Sequence, residues 1–238
     1  RLWLGSMPGL ISGQSPDRNI FYSSYLSTYV ERDVRELSGS VDALKFNRFV
    51  TAVAARCSQL LNYKALADDA DIDMPTAKNW VNILETLGII FLLHPYSNNV
   101  LKRTIKTPKV YFYDTGLVCY LTRWSSPEVA EIGAMSGALL ENFTVSEIMK
   151  SYQNAGLEPY LYFYRDRDAK EIDVILEGDG KLCPLEIKKT ATPDKRLTRV
   201  FSVMDRSPLQ LGTGAVLCMA EQFGAFDRDN LIVPIWMI

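Results

Sequence analysis

Residues 171–189 read EIDVILEGDGKLCPLEIKK, and the fold of the second half of the chain is most readily inferred from them. Two runs of alternating apolar and polar residues flank Gly178-Asp179-Gly180, a pattern typical of a β-hairpin. Successive strand side chains point to opposite faces of a sheet, so Glu186 and Lys188 share one face. If Asp173 lies on the same side, two carboxylates and a lysine converge there.

Such a cluster has a defined chemical use. Mg²⁺ prefers a few oxygen ligands and keeps open positions for substrate and water. Asp173 and Glu186 would supply carboxylate oxygens, and the backbone carbonyl of Ile187 would add a third ligand. Lys188 would position an attacking water or stabilise charge on a phosphate. The pattern therefore predicts a Mg²⁺ or Mn²⁺ site for phosphodiester hydrolysis, with a solvated strand face and a surface ion pair as the alternative.

The composition limits the classes of protein. The chain has 238 residues, 47% of them hydrophobic, which fits one large or two modest globular domains. Its formal net charge of −2 means that nucleic-acid binding must come from local basic patches. Four widely spaced cysteines without a C-x-x-C motif are typical of reduced thiols, which predicts a cytoplasmic protein. No apolar run is long enough to span a membrane, so no membrane partner is expected.

The first half of the chain is predicted to be helical. Residues 1–22 read as irregular, and residues 23–37 read as a charged amphipathic helix that needs a packing partner. Three more helices are predicted, followed by two strands; the segments are residues 43–61, 63–70, 74–87, 89–93 and 109–113. This order of helix, short helix, turn, helix and two-stranded ribbon is typical of a winged helix-turn-helix.

Charge segregation favours DNA as the ligand of this predicted winged helix. The exposed face of the helix at 74–87 carries Lys78, Asn79 and Asn82, which are residue types that contact phosphates or base edges. No acidic residue lies between Glu85 and Asp114. The basic residues of that segment are Lys102, Arg103, Lys106 and Lys109. We therefore predict DNA contact, with protein–protein packing as the alternative.

The second half is predicted to contain a helix at 134–152, a strand at 160–164, the hairpin, a helix at 194–204 and strands at 214–219 and 231–237. This α-β-β-β-α-β order is that of the restriction-endonuclease-like core. Glu141 lies on the apolar side of the first helix, where an isolated carboxylate is costly to bury. It is therefore interpreted either as a partly buried, hydrogen-bonded acid or as a third acid facing Asp173 and Glu186. The best candidate for a domain boundary is residues 122–133.

Several blocks together resemble one family. They are YLSTYVERDV at 25–34, KVYFYDTGL at 109–117, GALLENF at 137–143, EID at 171–173 and PLEIK at 184–188. These blocks are similar to the C-terminal half of bacterial and archaeal AAA-type ATPases that carry a domain of unknown function. Residue by residue, Glu141, Asp173, Glu186 and Lys188 match the catalytic pattern of PD-(D/E)xK nucleases.

The resemblance implies an α+β, multi-domain architecture. Residues 1–40 would be the tail of an ATPase module and a linker helix, residues 41–125 a winged helix-turn-helix domain, and residues 126–238 a PD-(D/E)xK nuclease-like domain. The chain lacks a G-x-x-x-x-G-K-[ST] loop, so ATP would bind only to an N-terminal module of the same protein. The absence of an initiator methionine before Arg1 agrees with the expectation of a fragment.

Three functions follow from these features. The first is a DNA-binding, metal-dependent nuclease-like portion of an AAA-type ATPase. The second is a non-catalytic module that couples the ATPase to DNA. The third is an adaptor that binds a partner or forms homo-oligomers through the helix at residues 25–37.

Overall fold

The chain is described by a computed structural model that covers residues 1–13, 17–39, 42–96 and 106–238. It combines helices with a mixed sheet, which confirms the predicted α+β class at that level. The residues divide into two compact units. The first unit comprises 1–92 and 110–143, and the second comprises 93–109 and 144–238. None of the helices in the described part of the chain is long and apolar enough to cross a membrane.

The first unit is mainly helical. Its helices are α1 (Pro8–Ile11), α2 (Arg18–Ser24), a π-helical segment (Tyr25–Val30), α3 (Glu31–Ser38), α4 (Ala43–Ala54), α5 (Tyr63–Ala70), α6 (Met74–Thr86), α7 (Thr115–Leu121) and α8 (Pro127–Ile132). Helix α9 (Ser136–Asn154) begins in this unit and ends in the second. Strands β1 (Ile90–Leu93) and β2 (Lys109–Phe112) form a two-stranded sheet.

Helix α6 has the limits that its sequence signals predict. The side chain of Asp73 accepts a hydrogen bond from the amide of Thr76 at 2.8 Å and thereby caps the first turn. Pro75 occupies the first turn, where its missing N–H costs nothing. The apolar side of the helix is buried. There the ring of Trp80 packs edge to face against the rings of Phe46 and Phe49 of α4, with a distance of 5.3 Å between ring centroids in each pair.

The N-terminal region differs from the sequence prediction. Residues 18–24 form α2 instead of irregular structure, because the carboxylate of Asp17 accepts the amides of Asn19 and Ile20 and caps the helix. Further on, Leu26 and Val34 are buried within the first unit. The packing partner that residues 23–37 were predicted to need therefore lies in the chain itself.

Helix α4 also ends earlier than predicted. It stops at Ala54, and Ser58 takes the left-handed φ of 63°. The amide of Ser58 then donates to the carbonyl of Val110 at 2.8 Å, and the amide of Val110 donates to Gln59 at 3.1 Å. Backbone pairing with β2 therefore replaces the C-terminal end of the predicted helix, residues 55–61. Local sequence does not encode this pairing.

Asp114 joins three segments of the first unit, and its side chain caps α7. Its carboxylate accepts hydrogen bonds from the amide of Leu117 at 2.7 Å, the amide of Ser6 at 2.7 Å and the hydroxyl of Tyr22 at 2.6 Å. Only 5% of Asp114 is exposed. Burial is the main cause of the raised pKa of Tyr22, and the neighbouring Asp114 carboxylate adds to it, so the phenol stays a donor to that carboxylate.

The C-terminus of α7 is a Schellman motif with an unusual residue. The amide of Trp124 donates to the carbonyl of Cys119 at 2.9 Å, and the amide of Arg123 donates to Tyr120 at 3.1 Å. Arg123 has φ 61°, in the left-handed region that glycine normally occupies at this position. Holding a non-glycine residue there costs on the order of 1 kcal/mol.

The second unit is built on a mixed sheet. Its strands are β3 (Leu161–Arg165), β4 (Glu171–Gly178), β5 (Lys181–Lys188), β6 (Gln210–Leu211), β7 (Gly214–Cys218), β8 (Gly224–Ala225) and β9 (Asn230–Pro234). The strand order is β3-β4-β5-β7-β9-β8, and β6 pairs with β5 outside this path. β3, β4 and β5 are antiparallel neighbours, whereas β5, β7 and β9 run parallel to one another.

The predicted hairpin is present, and its register is defined. Gly178 pairs with Lys181, which leaves Asp179 and Gly180 as a two-residue turn. Both turn residues have positive φ, 50° and 71°, as a type I′ turn requires. The sequence Asp-Gly favours this turn, so local sequence and hairpin register agree.

One helix of this unit differs from prediction. Residues 195–206 form a 3₁₀ helix, longer than such helices usually are, where an ordinary helix at 194–204 was predicted. The side chain of Asp194 caps it by accepting the amide of Arg196 at 2.7 Å. On α9, the polar residues Asn142 and Ser146 are buried. The side-chain oxygen of Asn142 accepts a hydrogen bond of 2.8 Å from the amide of Phe112, and its side-chain nitrogen donates one of 2.8 Å to the carbonyl of Phe112. Because both polar groups of the side chain have partners, Asn142 can lie in the interior.

The hairpin turn gives a test of the register. Replacing Gly180 with alanine should lower the free energy of unfolding by about 1 kcal/mol, because alanine tolerates φ 71° poorly although no atom lies within 4 Å of the added Cβ. Gly178→Ala is the matched control, since it also has open space and lacks the positive φ. Urea unfolding of both variants measures the difference, and equal losses would contradict the turn assignment.

Candidate active site

Asp173 lies on β4 in a buried position fixed by the neighbouring strand. Only 6% of the residue is exposed, and its Oδ2 accepts a hydrogen bond of 2.8 Å from the amide of Ile187. Its Oδ1 accepts no hydrogen bond from the described residues. The contact with Ile187 holds the carboxylate against β5, as the hairpin pattern predicts.

Glu186 and Lys188 lie together on β5. The Nζ of Lys188 is 2.7 Å from Oε1 of Glu186, and 8% of Glu186 is exposed. Val174 pairs with Leu185 and Ile175 with Pro184, and the same register extended by one residue sets Asp173 opposite Glu186. Paired residues share a face, so the structure brings Asp173, Glu186 and Lys188 together.

The rest of that hairpin face is covered by core packing. Ile175 and Leu182 belong to one buried cluster with Phe201 and Met204 of the 3₁₀ helix. One end of the face is therefore closed by apolar side chains, and the other end carries the charged cluster. The side chain of Lys188 is 44% exposed, so its ammonium group reaches solvent from that end.

A second lysine lies in this region that sequence reasoning assigned elsewhere. Lys109 was predicted to contact DNA, yet it is only 3% exposed and cannot reach a phosphate backbone from that position. Its Nζ is 2.6 Å from Oε1 of Glu171, and Arg165 contacts the other oxygen of the same carboxylate at 2.9 Å. No local signal identifies this pair, because Lys109 and Glu171 are far apart in the sequence.

The electrostatics of Asp173 follow from this environment. Burial raises the pKa of its carboxyl group, and this effect outweighs the opposing charges of Lys109 and Lys188 and the Ile187 hydrogen bond. Burial therefore disfavours the ionised form of Asp173, which is the form that a metal ion requires.

Glu141, the predicted third acid, has a clear local partner. It belongs to the part of α9 in the first unit, and its Oε1 accepts a hydrogen bond of 2.6 Å from the hydroxyl of Tyr111. This is the partly buried, hydrogen-bonded acid of the first interpretation. Its assignment to a metal-binding or catalytic set stays a prediction.

The remaining predicted DNA contacts lie in different environments. Lys78, Asn79 and Asn82 are exposed on α6, and the Nζ of Lys78 is 5.7 Å from the ring centroid of Tyr63. Lys106 is also exposed. Lys102 and Arg103 lie outside the described residues. Within α6 the structure therefore keeps the predicted polar face in contact with solvent.

The ligands predicted for a divalent cation are oxygen atoms of the hairpin strands. Asp173 offers Oδ1, Glu186 offers a second carboxylate, and the Ile187 carbonyl was predicted as a third oxygen donor. Carboxylate and carbonyl oxygens are the ligands that Mg²⁺ and Mn²⁺ prefer. Among the described residues, no group of three or more His, Cys, Asp or Glu side chains could hold a metal ion. Any site here must therefore rely on two carboxylates completed by backbone or solvent.

Comparison with known proteins places the chain among families without an assigned activity. Residues 1–128 match the family described as "Domain of unknown function (DUF8612)". That match covers more than half of the chain. The chain belongs to the DUF8612 family. Residues 136–238 match a second family, "Domain of unknown function (DUF4143)".

The curated relatives are similar along almost the whole chain. "Uncharacterized protein Mb2031c" of Mycobacterium bovis and "Uncharacterized protein Rv2008c" of Mycobacterium tuberculosis are each 29% identical over 238 residues, which is 99% of this chain. These residues correspond to 52% of each relative, so the chain spans about half the length of the curated relatives it matches. No solved structure was found to match it.

The ion pairs of Glu171 give a test of the site's electrostatic organisation. Lys109→Met should lower the free energy of unfolding by about 2–4 kcal/mol, because it removes a buried partner and leaves Glu171 and Asp173 with less compensating charge. Arg165→Ala should cost less than about 1 kcal/mol, since Arg165 is 37% exposed and its ion pair is screened by water. Urea unfolding measures both losses. Equal decreases in the free energy of unfolding would contradict a stabilising role for the buried ion pair of Lys109 with Glu171.

Proposed function

We propose that this chain is the DNA-binding and metal-dependent nuclease-like portion of an AAA-type ATPase. The observation that carries the proposal is the meeting of Asp173, Glu186 and Lys188 on paired strands, with the Asp173 carboxylate fixed by the Ile187 amide. Two acids beside a lysine are the minimal set for metal-assisted attack of water on a phosphodiester.

The connectivity of the second unit supports a PD-(D/E)xK type of fold. A helix, α9, precedes three antiparallel strands, β3, β4 and β5. The 3₁₀ helix then connects β5 to β7, which runs parallel to β5. This is the predicted α-β-β-β-α-β order, and it puts the acids on the second and third strands as the D…E-x-K pattern requires.

The ATPase part of the proposal rests on the family. The DUF4143 region is known as an ATPase-associated region. The mycobacterial relatives are about twice as long as this chain, which leaves room in them for a further module. We assign ATP binding to such a module and not to the residues of this chain, whose sequence contains no P-loop.

Each residue of the hairpin cluster would have a separate role in this chemistry. Asp173 would present Oδ1 while its Oδ2 stays bound to the Ile187 amide. Glu186 would supply the second carboxylate, and Lys188 would place its exposed ammonium group near the phosphate or the attacking water. When bound, Mg²⁺ or Mn²⁺ supplies Lewis-acid chemistry that polarises a phosphoryl oxygen and makes water a stronger nucleophile. Lys109 stays with Glu171 and limits the negative charge of the cluster.

Cleavage of DNA tests this function directly. With Mn²⁺, the wild-type chain should cleave plain, nicked or branched DNA, and Asp173→Asn, Glu186→Gln and Lys188→Met should each lower the rate by about 100-fold or more. Asp173→Asn keeps an oxygen that can accept the Ile187 amide, so loss of fold is not the expected cause. Gel analysis of end-labelled substrates measures the rates.

The matched control is Glu177→Gln, which neutralises an acid on the same strand without touching the cluster. It should cleave at the wild-type rate. Wild-type inactivity on all three substrates with both Mg²⁺ and Mn²⁺, or full activity in Asp173→Asn, would exclude the hydrolytic function.

A second candidate function is supported by a different observation. Asp173 and Glu186 are buried and already have partners in the chain, which also suits a scaffold without catalysis. In that case the chain would bind DNA through α6. It would then transmit the nucleotide-driven motion of the ATPase module to the bound DNA. The exposed polar face of α6 would make the contacts, and no divalent cation would be needed.

Salt dependence tests this binding mode. In EDTA, Lys78→Ala should weaken binding to duplex DNA and lower the slope of log K against log salt concentration by about 1, because one phosphate contact is lost. Lys181→Ala, which removes an exposed lysine from the first position of β5, should leave the slope unchanged. Fluorescence anisotropy measures both, and a wild-type slope in Lys78→Ala would remove α6 from the interface.

A further inference from the structure

A cavity in the first unit is lined by positively charged side chains and by no negatively charged ones. Its volume is about 610 Å³, which is within the range of small-molecule sites. It lies beside α2, α4 and the C-terminal end of α7. Two arginines line it, Arg18 and Arg123, and none of its lining residues is an aspartate or a glutamate. The chain as a whole has slightly more acidic than basic residues, so this segregation is not a result of composition.

Arg18 is a buried charge held only by neutral groups. It is 8% exposed, and its guanidinium donates to the carbonyls of Trp3 at 3.1 Å and Gly116 at 2.9 Å. Among the described residues no carboxylate lies within ion-pairing distance of it. Burial lowers the pKa of this guanidinium. The Asp114 carboxylate opposes that shift from beyond ion-pairing distance. A buried cation that lacks a direct ion pair is costly, and an anion in the cavity would supply one.

Arg123 provides the second observation. It lines the same cavity, its side chain is exposed, and in the described chain it has no carboxylate partner. It also occupies the left-handed position of the Schellman motif, where glycine would avoid the strain. A strained cationic residue at the edge of a cavity points to a use for its side chain.

The remaining polar lining suits oxygen atoms of a ligand. Asn47 and Thr51 lie on α4, and Ser23 lies on α2, so the cavity wall contains hydroxyl and amide donors. Planar guanidinium groups match the oxygens of a phosphate in geometry as well as in charge. Tyr120 and Trp124 add aromatic surface to the same wall.

We propose that this cavity binds a phosphate-bearing small molecule, with Arg18 and Arg123 as its principal cationic contacts. Arg18 would bind from a fixed orientation, since its carbonyl contacts and the Trp3 ring, 4.3 Å from the guanidinium, hold it in place. Arg123 would bind from the more mobile, solvent-facing side. The site is independent of the hairpin acids, none of which lines the cavity.

Inorganic pyrophosphate is the probe for a direct test. Calorimetry and thermal unfolding would be performed in EDTA, so that divalent cations at the hairpin take no part, and at an ionic strength matched with NaCl. The wild-type chain should bind pyrophosphate and unfold at a higher temperature with it. Arg123→Ala should weaken binding by about 10-fold or more, because a charge-assisted contact is lost.

Two variants separate binding from folding. Arg123→Gly removes the side chain and relaxes the backbone, so it should unfold no more easily than the wild type without ligand and yet bind as weakly as Arg123→Ala. Arg48→Ala removes an exposed arginine from α4 that does not line the cavity, and it should bind like the wild type.

Two outcomes would overturn the inference. The first is an absence of pyrophosphate binding, or equal binding in Arg123→Gly and the wild type. The second is equally tight binding of citrate, which would show that charge alone, and not phosphate, determines what the cavity accepts. Weaker binding of citrate than of pyrophosphate supports the phosphate assignment.

Discussion

The register between β4 and β5 is the constraint on which the second unit depends. Strand side chains alternate, so a slip of one residue would send Asp173 and Glu186 to different faces and expose part of the core. The Asp179-Gly180 turn fixes that register from one end. The Asp173 contact with the Ile187 amide fixes it from the other, which means that one polar side chain serves both the fold and the candidate chemistry.

Charge compensation within the interior is the second organising feature. Asp173 and Glu186 are buried at a cost that is reduced by nearby lysines and a backbone amide. Lys109 and Lys188 differ in kind, since Lys109 is buried against Glu171 whereas Lys188 is partly open to solvent. Lys109 is therefore part of the buried charge pairing, whereas the ammonium group of Lys188 is accessible from solvent.

Features encoded by neighbouring residues were predicted well from the sequence. The hairpin, its turn and the limits of α5 and α6 all depend on short-range patterns of polarity, glycine and capping residues. Contacts between distant residues were not predictable in this way. The buried pair of Lys109 and Glu171, the pairing of Ser58 and Gln59 with Val110, and the cavity at Arg18 arise only when remote segments pack. Lys109 in particular carries the same sequence signal as an exposed basic residue.

The position of β5 within its sheet affects how often the backbone at the candidate site opens. This strand is paired on one side with β4 and on the other with β6 and β7, and most of its residues are buried. Amide hydrogens in such a strand exchange with solvent mainly when the whole cooperative unit opens. We therefore expect the backbone of β5, which carries Glu186 and Lys188, to open rarely.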